Sequence, residues 1–143
     1  MAARAKRAKV GQRVPSGKHP IIPLTEAHDG RIRIAWRLGD ADRNGPYAWS
    51  NMSSDVAAQV LGFLGEKDKL VWGESRAKDI PTTQLCADAQ RRLREIEKDD
   101  QDRLVEFRLS GIERIWGVRD GHICHVLWWD PDHQVCPSEL RHT

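Results

Sequence analysis

The residues best suited to chemistry in this 143-residue chain stand close together toward its C-terminal end: Arg108, Glu113, Arg119 and His122. An imidazole titrates near neutrality, a carboxylate can accept or orient a proton, and guanidinium groups grip phosphate oxygens in a fork. Cleavage of RNA through its own 2′-hydroxyl needs those parts: a base, an acid for the leaving oxygen, and a cation facing the charge that develops on phosphorus. Glu106 is a second carboxylate for the base, and Trp128 offers a ring on which a nucleobase can stack. The scheme calls for no metal and no other cofactor. A plainer reading stands beside it. Arg108 and Glu113 are a cross-strand salt bridge on a wet sheet, and Arg119 and His122 flank a turn.

His122, Cys124, His125, His133 and Cys136 also have zinc-binding chemistry. Strand alternation sends His125 to the face opposite His122 and Cys124, and His133-x-x-Cys136 is half a site, so no metal is expected. Asp130-Pro131-Asp132-His133 has the residue types of a turn, and Cys86 and Cys124 read as small packing residues.

The element that must position these side chains runs from Arg103 to Cys136. Strand formers dominate it, interrupted by Ser110-Gly111 and Asp120-Gly121. Taken as two-residue loops, these turns pair Arg119 with His122, Val118 with Ile123, Arg108 with Glu113 and Val105 with Trp116. One face then collects Val105, Phe107, Leu109, Ile112, Trp116, Val118, Ile123, Leu127 and Trp129 as a core. The other presents Glu106, Arg108, Glu113, Arg119, His122 and Cys124.

Upstream, residues 31–38 alternate as a half-buried strand whose outer stripe is Arg31, Arg33 and Arg37. That stripe either holds an anion such as RNA or blunts an edge strand. Ser50 to Ser54 offer N-caps for a helix over 54–66 with Val56, Val60, Leu61 and Leu64 on its buried face. A second helix is expected over about 83–99, capped by Thr82 or Thr83, with Leu85, Ala89, Leu93 and Ile96 buried. The order strand–helix–helix–strand–strand–strand, with a mostly antiparallel sheet, implies an α+β two-layer sandwich.

Charge is unevenly spread. Of 23 Lys and Arg, six lie in residues 1–19, which hold no acid, leaving 17 against 21 Asp and Glu in the remainder. Residues 1–20 are read as a disordered arm, and residues 21–143 as one α+β domain. Arg4, Lys6, Arg7 and Lys9 of the arm are either a tether to RNA phosphates or a solubilising tail. There is no apolar run of membrane-spanning length, so no membrane partner is expected. Three cysteines without a CxxC pair suit a reducing cytoplasm.

The stretch Leu109-Ser110-Gly111-Ile112-Glu113-Arg114-Ile115-Trp116-Gly117-Val118-Arg119-Asp120-Gly121 fits the pattern L-x-G-x-x-R-x-x-x-R-x-G. With the element order and the apolar strand HICHVLWWD that follows, it resembles the RelE/HigB/ParE-like bacterial toxins over residues 30–136. The resemblance implies a metal-independent mRNA endonuclease that acts with the ribosome and is held by an antitoxin protein. Arg114 and Arg119 fall on arginines of the family's closing meander. His133, or Arg141-His142, stands nearest to its usual His-Arg or His-Tyr ending. The reading from another class is a non-catalytic module that binds protein or RNA on the same scaffold.

Overall fold

The strands of the computed structural model, which describes residues 31–137, form one five-stranded sheet in the order β1-β5-β4-β3-β2. They are β1 (Ala35–Arg37), β2 (Lys78–Pro81), β3 (Arg103–Ser110), β4 (Glu113–Asp120) and β5 (Ile123–Asp130). Helix α1 (Ser54–Lys67) lies between β1 and β2 in the chain, and α2 (Ala87–Glu95) between β2 and β3. β1 runs parallel to β5 and every other pairing is antiparallel. The α+β class expected is the class found. The arm residues Arg4, Lys6, Arg7 and Lys9, and the tail residues Arg141 and His142, lie outside the described residues.

α1 begins where its cap predicts, with the Ser53 hydroxyl accepting the Val56 N–H. α2 starts later than expected. Lys78–Pro81 is drawn off into an edge strand, which tolerates a proline because its outer N–H has no ladder partner to lose. Thr82 does not cap the helix; its hydroxyl donates to the Gln101 carbonyl at 3.0 Å, and the Cys86 thiol accepts the Ala89 N–H instead.

The helices pack on opposite faces of the sheet, which corrects the two-layer arrangement to three layers. Under α1, Val60 meets Ile34, Val105, Phe107, Ile115, Cys124 and Val126. Under α2, Leu85, Ala89 and Leu93 join Tyr47, Leu104, Trp116, Leu127, Trp128 and Val135. A sheet covered on both sides needs strands apolar on both sides, which is why β5 reads as an almost unbroken apolar run.

Both hairpins depart from the expected register, and for one reason. Ser110 pairs with Glu113 and Asp120 with Ile123, so the loops are Gly111-Ile112 and Gly121-His122. Each puts glycine first, at positive φ (44° and 63°), the position a type II′ loop reserves for it. Bulges follow. Arg108 pairs with Arg114 once Leu109 is skipped, and Trp116 lies opposite Trp128 once Leu127 is skipped. Val105 and Phe107 therefore share the α1 face with Ile115, while Trp116 and Val118 turn toward α2. The single core face expected from the sequence is split between the two layers.

Candidate functional site

Alternation along β3 sends Glu106 and Arg108 to the same face, where they meet side chains from both neighbouring strands. Lys78 of β2 pairs with Glu106, and Arg114 of β4 pairs with Arg108. With Arg76, just before β2, these residues line a pocket of 240 Å³. Like charges directly opposite on a sheet are unfavourable, so the facing arginines cost stability unless something anionic lies between or above them.

Part of the answer is Glu106, which is 3% exposed. Its Oε2 lies 3.9 Å from Arg114 Nε and 3.5 Å from His133 Nε2. Arg114 Nη1 also donates to the carbonyls of Gly111 and Glu113. His133 sits in the loop after β5, and the Asp130 carboxylate holds that loop by accepting the N–H groups of Gln134 and Val135 at 2.8 and 3.0 Å. Trp116 Nε1 donates to the same carboxylate. Among the described residues only Arg76, Glu97 and His133 are non-glycine residues at positive φ, and two of these three flank this site. Such strained conformations persist where the surroundings over-determine them, and they gather at functional sites. The assembly is a strongly cationic pocket with one buried carboxylate shared between an imidazole and a guanidinium. It can hold a phosphate, and it has two groups able to exchange a proton.

The four residues first singled out are not gathered together. Arg108 lines the pocket. Arg119 points to the opposite face, five residues and roughly 17 Å along β4 from Arg114. There its guanidinium lies 4.4 Å from the centre of the Trp72 ring, and its Nε donates to the Gly121 carbonyl. Glu113 accepts the Ser110 hydroxyl at 2.7 Å beside the first turn. His122 is a loop residue whose carbonyl accepts the Ala35 N–H. Trp128 is no stacking platform: it is fully buried, and its indole N–H donates to Asp42 Oδ2 at 3.0 Å. Arg31, Arg33 and Arg37 belong to the segment around β1, a sheet edge, where Arg37 lies exposed.

Sequence reasoning missed Arg76 and Lys78, because nothing in Arg76-Ala77-Lys78 announces an edge strand beside β3. It also missed a second cleft, of 370 Å³, at the other end of β4 and β5. There Asp40 lies between Lys98 Nζ and His125 Nδ1, both at 3.3 Å. The pairing of residues that far apart in the chain leaves no local signature.

A third polar cluster is structural. Asp42, 7% exposed, accepts from Arg92 Nε and Nη2 at 2.9 and 2.8 Å as well as from Trp128. Burial alone would raise its carboxyl pKa. The hydrogen bonds from Arg92, Trp128 and the Asn44 N–H, with the Arg92 charge, win and hold it below the usual value. Asp42 thereby pins the loop after β1 to α2 and β5.

Among the described residues no three His, Cys, Asp or Glu side chains are grouped so as to hold a metal ion. None of the described helices is long and apolar enough to cross a membrane. Compared with known proteins, the chain matches no family model, no curated protein and no solved structure.

Proposed function

We propose that this protein binds single-stranded RNA in the Glu106 pocket and cleaves it by metal-independent acid–base chemistry. Arg76, Lys78 and Arg108 hold the phosphate, and Arg114 faces the charge that builds on phosphorus as the 2′-oxygen attacks. Glu106 and His133 divide the proton work: one takes the 2′-hydroxyl proton while the other delivers a proton to the departing 5′-oxygen. The observation that carries this reading is the buried Glu106 carboxylate, 3.5 Å from His133 and 3.9 Å from Arg114, beneath three further basic side chains. The RelE/HigB/ParE-like pattern supports it, since Arg114 falls on a meander arginine and His133 stands nearest the family's terminal histidine. On that reading the protein works in the cytoplasm, with the ribosome presenting the substrate and an antitoxin protein covering the pocket.

The second reading, RNA binding without turnover, is favoured by one feature. Glu106 is almost wholly buried and already ion-paired, which suits a carboxylate that fixes arginines for phosphate binding.

Both are tested by incubating the protein with single-stranded RNA in the presence of EDTA. Cleavage predicts fragments ending in 2′,3′-cyclic phosphate, and a loss of about a hundredfold or more in rate for His133→Gln with RNA affinity retained. Binding without fragments selects the second reading. Absence of RNA binding removes both.

A further inference from the structure

The 370 Å³ cleft at the far end of β4 and β5 belongs to neither the RNA pocket nor the Asp42 pin. Val118 and His125 are cross-strand partners and share the face turned toward α2; Asp120, two residues beyond Val118, shares it too. Val118 and Leu127 provide an apolar floor, and Lys98, Gln101, Arg119, Asp120 and His125 supply polar groups around it.

Asp40 sets the orientation of two of them. It takes the Lys98 ammonium on one oxygen and faces His125 Nδ1 with the other. Among the described residues neither the Asp120 carboxylate nor the Gln101 side-chain amide has a hydrogen-bond partner in the fold. The wall thus holds one unpartnered carboxylate, one positioned ammonium, one side-chain amide and the Arg119 guanidinium, over a floor that a flat ring can cover. Cavities of this size suit small ligands.

We infer that this cleft is a binding site for a guanine base. Guanine offers two adjacent N–H donors, which match the two oxygens of a carboxylate, with a carbonyl acceptor beside them for an ammonium or amide. Asp120 takes the paired donors, and Lys98 or Gln101 donates to the carbonyl oxygen. Adenine and cytosine each place an exocyclic amino group next to a ring acceptor. Uracil places its single N–H between two acceptors. Neither arrangement satisfies a carboxylate with two donors. The ligand is a guanine nucleotide, either free or within a strand. The RNA proposal above bears only on which of these it is.

The test is calorimetric titration of the full chain with GMP, AMP, CMP and UMP, and with a guanine-containing tetranucleotide. GMP is expected to bind at least tenfold more tightly than the other three monophosphates. Asp120→Asn is expected to bring GMP down to their level with the melting temperature unchanged, because the Asp120 side chain is exposed and makes no hydrogen bond within the described fold. A tetranucleotide tighter than GMP identifies a strand base; the reverse identifies a free nucleotide. Equal affinity for the four monophosphates, or none for any, overturns the inference. Neither outcome depends on whether RNA is cleaved.

Discussion

Individual side chains divide sharply between those that hold the fold and those left for chemistry. Asp42 is the clearest of the first kind, and it looks unremarkable in the loop-like run Gly39-Asp40-Ala41-Asp42-Arg43-Asn44-Gly45-Pro46. Only the fold reveals that Arg92, fifty residues on, grips it with two nitrogens. Removing one partner of a buried pair leaves the other desolvated and unmatched, so Asp42→Ala should lower stability by about 3 kcal/mol in urea denaturation. The pH dependence has a definite sign. The folded carboxyl pKa lies below the unfolded one, so its contribution is complete above the ordinary carboxylate value, about 4, and fades as pH falls through the folded pKa. Acid titration of the melting temperature should show that loss in the parent and not in Asp42→Ala. Cys124 is inert for a different reason. Burial pushes its thiol up to about 12, so iodoacetamide at pH 8 should label the partly exposed Cys86 well before Cys124, as read by mass spectrometry.

Among the elements, the closing meander was readable as three strands, and its turns were readable as glycine turns. What was not readable was which side of each glycine the loop lies on. Asp120-Gly121 is a sound type I′ pair, yet Gly121-His122 makes the loop, and the shift together with the bulges at Leu109 and Leu127 re-sorts the faces. The bulge on β5 is tied to a close approach at Gly117. A Cβ there would lie 2.6 Å from Cys124 Sγ and 2.8 Å from the His125 carbonyl oxygen. The carbonyl cannot swing aside as a side-chain tip can. Gly117→Ala should therefore destabilise the protein by about 1–3 kcal/mol in thermal or chemical melting. An unchanged melting curve would mean that β4 and β5 have room the present register denies them. The start of α2 was misjudged for a related reason. Thr82 and Thr83 look like caps until β3 is present to recruit Lys78–Pro81 as an edge strand just before them.

For the molecule as a whole, the α+β class was legible because periodicity of 2 and of 3.6 residues separates cleanly along the chain. The third layer was not, since an apolar run such as β5 fits a sheet covered on one side or on both. The candidate pocket was half legible. Arg108 and Glu106 were readable as strand residues, but their company depends on sheet order, which places Lys78 and Arg114 beside them. The proposed function requires those cations to meet RNA phosphate, and the salt dependence of RNA affinity tests that most directly. Each phosphate contact on a single strand contributes about 0.7 to the slope of log affinity against log salt. Replacing Arg76, Lys78 and Arg108 together by alanine should reduce the steepness of that slope by about 2 and leave the fold intact, since all three are exposed. The same slope in parent and triple variant would contradict the account, because RNA would then be held somewhere else.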